Sequence, residues 1–80
     1  MKLTYDPRHN VAYLRLHEKG DREVETIRLS DELNVDLASD GTVYGIELLN
    51  ANEQLRSEDN GKLVLVNEAD GEEREIPLGM

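Results

Sequence analysis

The sequence predicts a β-rich domain, all-β or α+β: an antiparallel meander of four or five strands with one short helix and a C-terminal hairpin. Apolar and polar residues alternate over short runs, the period expected of half-buried strands. Turn-forming residues punctuate those runs at close intervals. The strongest local signal lies between Leu33 and Leu49, where Asp40-Gly41 joins two alternating runs, LNVDL and VYGIELL, as a hairpin turn would.

The elements follow in order. Lys2 to Tyr5 reads as a short strand with Leu3 and Tyr5 on one face. Asp6-Pro7-Arg8-His9-Asn10 makes a turn, because Pro7 presets φ, Asp6 bonds forward to the backbone and Asn10 tolerates positive φ. Val11 to Leu16 closes the first hairpin. It carries Ala12, Leu14 and Leu16 on one face and Val11, Tyr13 and Arg15 on the other. A polar loop, His17 to Asp21, leads to a strand from Arg22 to Leu29. There Val24 and the pair Ile27 and Leu29 have opposite parity, so a bulge is expected near Thr26.

Ser30-Asp31-Glu32 then delivers the chain to the central hairpin. Leu33, Val35 and Leu37 share one face of it with Tyr44, Ile46 and Leu48. A turn centred on residues 40–41 sets Asp36 opposite Gly45 or Ile46, with Glu47 diagonal to it. Beyond Leu49 a helix of one or two turns is expected, with Asn50 as N-cap, Glu53 reaching back and Gly61 as the stop. Lys62 to Val66, apolar on both faces, and Arg74 to Leu78 form the last hairpin. Pro77 cannot donate to a ladder and belongs at an edge.

The 80 residues make one domain, 1–80, too small to bury a large core. Marginal monomer stability follows, and a homodimer is one way to relieve it. Cysteine is absent, which excludes disulfides and thiolate metal sites. No apolar run reaches membrane-spanning length, and MKLTYDP has no signal-peptide core, so a cytoplasmic location is expected without a membrane partner. Eighteen acidic residues against nine basic ones give a net charge of −9. That balance excludes nucleic acid, which needs a basic footprint, and leaves a basic protein as the partner an acidic surface suits.

No residue cluster assembles a recognisable reaction centre. Asp36 and Asp40 flank the central turn, but Ala38 occupies a position where an EF-hand loop needs oxygen. His9 and His17 lack further ligands for zinc, and Ser30, His17 and Asp21 lack a nucleophile elbow. Asp36 and Glu47 lie near each other on paired strands and are the acid–base candidates. Exposed carboxylates neutralised by Arg15 and Arg28 are the simpler reading. Val11, Tyr13, Val43 and Leu49 fall on the face opposite the presumed core. There they would form an apolar patch, covered by the C-terminal segment or by a second copy.

Two stretches carry a family resemblance. Tyr5-Asp6-Pro7 followed by Ala12-Tyr13-Leu14-Arg15-Leu16, and then Leu33-Asn34-Val35-Asp36-Leu37, Asp40-Gly41 and Gly45-Ile46-Glu47-Leu48-Leu49, resemble a small prokaryotic family known as domain of unknown function 2283. The likeness covers about residues 3–51 and leaves 52–80 as an extension. Asn10 stands where that family often has Asp, and Ala12 where it has a large aliphatic residue. The resemblance implies a β-rich fold with no established activity, and a role beside a partner, as an antitoxin-like antagonist of a basic toxin would have.

The sequence therefore reads as a small acidic non-enzymatic protein–protein interaction module without cofactors, with Val11, Tyr13, Asp36, Val43, Glu47 and Leu49 as surface or interface candidates. The rival readings are a ligand-binding protein or hydrolase using Asp36 and Glu47, and a weak divalent-cation binder.

Overall fold

The computed structural model describes residues 1–79. Seven strands, β1 (Lys2–Asp6), β2 (Val11–Arg15), β3 (Glu25–Ser30), β4 (Leu33–Leu37), β5 (Val43–Leu49), β6 (Lys62–Asn67) and β7 (Glu72–Pro77), accompany one short helix, α1 (Ala51–Arg56). The first five form an antiparallel sheet in the order β1-β2-β5-β4-β3, and β6 and β7 pair separately. The fold is β-rich, as the alternation predicts.

The strand order departs from a continuous meander. Only β3, β4 and β5 run as one, and β5 returns to lie beside β2. The composition of the strands explains the choice. VYGIELL is the most apolar strand and takes the central position, where both edges are hydrogen-bonded. ETIRLS is polar at most positions, and edge strands tolerate polar residues best. The polar loop from residue 16 to residue 24 is long enough to carry the chain from β2 to the far edge.

The central hairpin keeps the register set by its turn: Leu33 faces Leu48, Val35 faces Ile46 and Asp36 faces Gly45. Gly41 has φ of 90°, and Thr42 N–H donates to the Asp40 carboxylate at 2.9 Å. That bond is the main reason the Asp40 carboxyl is held below its ordinary pKa. The expected bulge lies at Leu29 rather than near Thr26, because Arg28 faces Asn34 while Ser30 faces Leu33. Val24 precedes the strand and makes no demand on its register, so the misfit moves to Leu29, which turns into water. A second shift, between Asp36 and Leu37, makes room for Tyr44 on β5.

Helix α1 begins where expected but is capped differently. Asn50 sits in the left-handed region with φ of 52°, and its side chain makes no cap bond. Asn10, also left-handed, supplies the cap from the β1–β2 turn. Its carbonyl accepts Ala51 N–H at 3.2 Å and its side-chain oxygen accepts Asn52 N–H at 2.8 Å. Two of the helix's otherwise unpaired amides are satisfied this way.

Burial is sparse: among the described residues Ala12, Tyr44 and Ala51 are the buried apolar ones, and no large side chain is fully enclosed. The chain exposes 6158 Å², against roughly 4,900 Å² for a folded monomer of its 9.1 kDa mass. Its radius of gyration is 14.2 Å, where about 11.6 Å suits a compact domain of this length. A good share of the chain's apolar surface is thus left to solvent.

Candidate functional site

The two faces of the five-stranded sheet differ sharply, and the register places all but one of the candidate residues on the same face. Val11, Tyr13, Asp36, Glu47 and Leu49 lie on the polar face, together with Thr26 and Asn34, while Val43, beyond the register shift at Leu37, faces Leu37. Tyr13 reaches across Gly45, and its hydroxyl donates to the Asp36 carboxylate at 2.7 Å. Thr26 donates to the other oxygen of the same carboxylate at 2.6 Å. Asn34 donates to Glu47 at 2.8 Å.

Gly45 makes the crossing possible. A Cβ built there would lie 2.1 Å from the Tyr13 hydroxyl oxygen, so any larger residue would displace the ring. Partial burial, the bond to Asp36 and the negative charges of Asp36 and Glu47 together push the Tyr13 phenol up to about 12.

Asp36 and Glu47 stand in the diagonal relation that the register requires, yet each is engaged with its own neutral partners. Arg15 and Arg28 do not neutralise them. Arg15 lies 3.6 Å from Glu18 and Arg28 pairs with Asp31, local acids in each case. A cleft of about 320 Å³ beside β3 and the end of β4 is lined by Val24, Ile27 and Leu37 with Glu23 and Glu25, and not by Asp36 or Glu47. Among the described residues no group of three or more His, Cys, Asp and Glu is placed to hold a metal ion. Val11 and Leu49 pair directly, while Gly45 and Glu47 separate them from Val43. The four therefore do not form one continuous apolar patch, and the C-terminal hairpin contacts α1 and the 3-10 turn Asp59–Gly61.

The other face is aliphatic. Leu3, Leu14, Ile46, Val35 and Ile27 lie in register across all five strands, one from each. Every one of them is only half-buried. Cover exists at the two ends of this face. Arg22 donates to the Tyr44 hydroxyl at 2.8 Å and His17 packs edge-on against its ring. At the other end Tyr5 donates to Asn52, which begins α1 with Ala51 fully buried. Between them the row is neither fully buried nor exposed.

The family described as Protein of unknown function (DUF2283) matches residues 2–52. The chain belongs to this family. The match spans the whole five-stranded sheet and the first residues of α1, and it ends before the C-terminal hairpin. No curated protein and no solved structure matches the chain. Both faces described above therefore lie within the DUF2283 portion, and β6–β7 is an addition to it. No helix among the described residues is long and apolar enough to cross a membrane.

Thr26, Asn34 and Gly45 escaped the sequence reading of this site. A glycine in the middle of an apolar strand was the available signal, since such a residue marks the close approach of another group. A cross-strand aromatic covering it is a familiar arrangement.

Proposed function

We propose that this DUF2283 protein is a non-enzymatic protein–protein interaction module that works as a homodimer, with the aliphatic sheet face as its contact surface. The observation that carries this reading is the half-buried row Leu3, Leu14, Ile46, Val35 and Ile27, in a chain exposing far more surface than its mass requires. An apolar surface of that kind is an interaction site or an aggregation hazard. The excess over a compact monomer is roughly 1,300 Å² per chain, well within the range of an obligate dimer interface.

The polar face supports a structural rather than catalytic use of its carboxylates. Asp36 already accepts two hydroxyl bonds and Glu47 an amide bond, which leaves them poorly placed to exchange protons with a substrate.

Sedimentation velocity over a wide dilution series is the test. A dimer that dissociates on dilution is expected, and Val35→Asp, which places a charge in the middle of the row, should give a folded monomer. A native chain that sediments as a monomer at every concentration, with its β-sheet circular dichroism intact, would refute the reading.

A further inference from the structure

The hairpin β6–β7 is the part of the chain with the least to hold it. A two-stranded hairpin alone in water is marginally stable. Its sequence suggests why it persists: LVLV is a continuous apolar run, the pattern of a strand covered on both faces. One face meets its own chain, with Val64 half-buried and β6 against α1. The other face is more exposed, and carries Arg74 opposite Leu65 and Glu72 opposite Asn67 beside its apolar residues. Leu63, Leu65 and Ile76 form its stripe, 42%, 59% and 52% exposed, and Leu63 faces Ile76 directly across the two strands.

We propose that this hairpin is an exchange arm, its Leu63–Leu65–Ile76 stripe seated on the aliphatic row of a second copy of the chain. The inference rests on the homodimer reading and specifies what the second copy lays on the sheet. Three observations favour this occupant.

The chain carries two separate apolar surfaces, the sheet row and the arm stripe. Stacking one sheet face on another would hide the first and leave the second in water. A two-fold dimer with reciprocal arms hides both in one interface, each arm meeting the partner's sheet. The dimensions allow it: five strands set the row at about 19 Å from end to end, and Leu63 and Leu65, two residues apart on β6 with Ile76 beside them, would cover about 7 Å of it. Finally, one sheet face of this size presents a flat area of only about 400 Å². The excess surface of the chain is several times that figure, so a further element has to be covered as well.

Cysteine cross-linking tests the arrangement cleanly, because the native chain has no cysteine. A chain carrying Leu65→Cys and a differently tagged chain carrying Ile46→Cys are mixed, allowed to exchange and oxidised with glutathione disulfide. The mixed Leu65–Ile46 disulfide is expected to exceed either like-with-like product. Leu65→Ser, at an exposed position that the monomer fold does not need, should raise the dimer dissociation constant by about tenfold or more.

The outcomes separate the two readings. If Ile46→Cys chains link mainly to each other, the sheets face one another, the dimer stands and the arm proposal falls. If a chain carrying both cysteines closes its disulfide within a monomer, the arm folds onto its own sheet and the proposal falls. An unchanged dissociation constant for Leu65→Ser would also overturn it. A native chain that never dimerises would remove the homodimer reading and this one together.

Discussion

Gly45 and Tyr13 form the tightest local dependence in the molecule. The ring of Tyr13 occupies the space a side chain at position 45 would need. Gly45→Ala should therefore destabilise the fold by about 1–3 kcal/mol through overpacking. The same substitution made on a Tyr13→Ala chain removes the obstacle. There the added methyl group should be neutral or stabilising by about 0.5 kcal/mol, since glycine is a poor strand residue. Urea unfolding of the four chains, at one fixed concentration, measures the coupling. Additive effects would mean that the ring does not lie over Gly45 in solution.

Tyr13 also makes stability depend on alkaline pH, and the direction follows from its environment. Its folded phenol is raised from 10.0 to about 12, chiefly by burial and by the bond to Asp36. The folded chain holds this proton more tightly than the unfolded chain. The contribution is therefore complete below about pH 10 and is lost as pH rises through about 12. Between those values the urea midpoint should fall faster for the native chain than for Tyr13→Phe. Tyrosinate absorbance should show one of the three tyrosines ionising late. Equal slopes in the two chains would show that Tyr13 carries no such linkage.

At the scale of elements, asparagines tie the sheet to the helix. Asn10 caps α1, its amide donates to Asn50 at 3.3 Å, and Asn50 donates in turn to Glu32 at 2.8 Å. Asn52 donates to the carbonyl of Pro7 at 3.0 Å, which closes the first turn against the helix. Replacing Asn10 by Ala removes the cap and leaves a β-carbon in a left-handed conformation, a combined loss of about 2–3 kcal/mol. Asn10→Gly keeps the conformation without the cap and should lose about 1 kcal/mol. Thermal melts that placed Gly below Ala would contradict this account. An aspartate, which the family resemblance leads one to expect at this position, would preserve the oxygen that caps Asn52.

This helix start illustrates which parts of the fold were legible. Asp40-Gly41 is a local signal, and the register it sets could be read to within one residue, Asp36 opposite Gly45 or Ile46, of which the structure has Gly45. The position of α1 was legible for the same reason. Its cap was not, because the capping residue lies 42 positions away in another turn. Nor could the pattern of either strand decide whether β2 takes β3 or β5 as its second neighbour, since both present aliphatic residues at alternate positions. The candidate site divides the same way. Tyr13 and Asp36 were placed on one face by parity, but their contact spans the intervening strand and depends on Gly45 having no side chain. Parity also named the aliphatic face as core. It carries no information on whether anything covers that face, and the structure leaves its residues only half-buried.

For the whole molecule, the net charge of −9 gives the association a signature that separates its possible partners. Two copies of an acidic chain repel each other at long range, and added salt screens that repulsion. The apolar contact itself does not weaken in moderate salt, so the dimer should tighten as sodium chloride is raised from low to physiological ionic strength. A complex with a basic protein would behave in the opposite way, because the attraction that steers it is the interaction being screened. The two responses can be read on one instrument. The sedimentation dilution series, repeated at low and at physiological salt, should show the dissociation constant of the native chain falling with salt. A dimer held by charge pairs would dissociate as salt rises, which would move the contact away from the aliphatic row and onto the acidic surface. The thermal midpoint should rise with protein concentration in both buffers, since only the folded chain presents the row. A midpoint independent of concentration would mean that the half-buried face is tolerated by the monomer and that no second copy is needed to stabilise the fold.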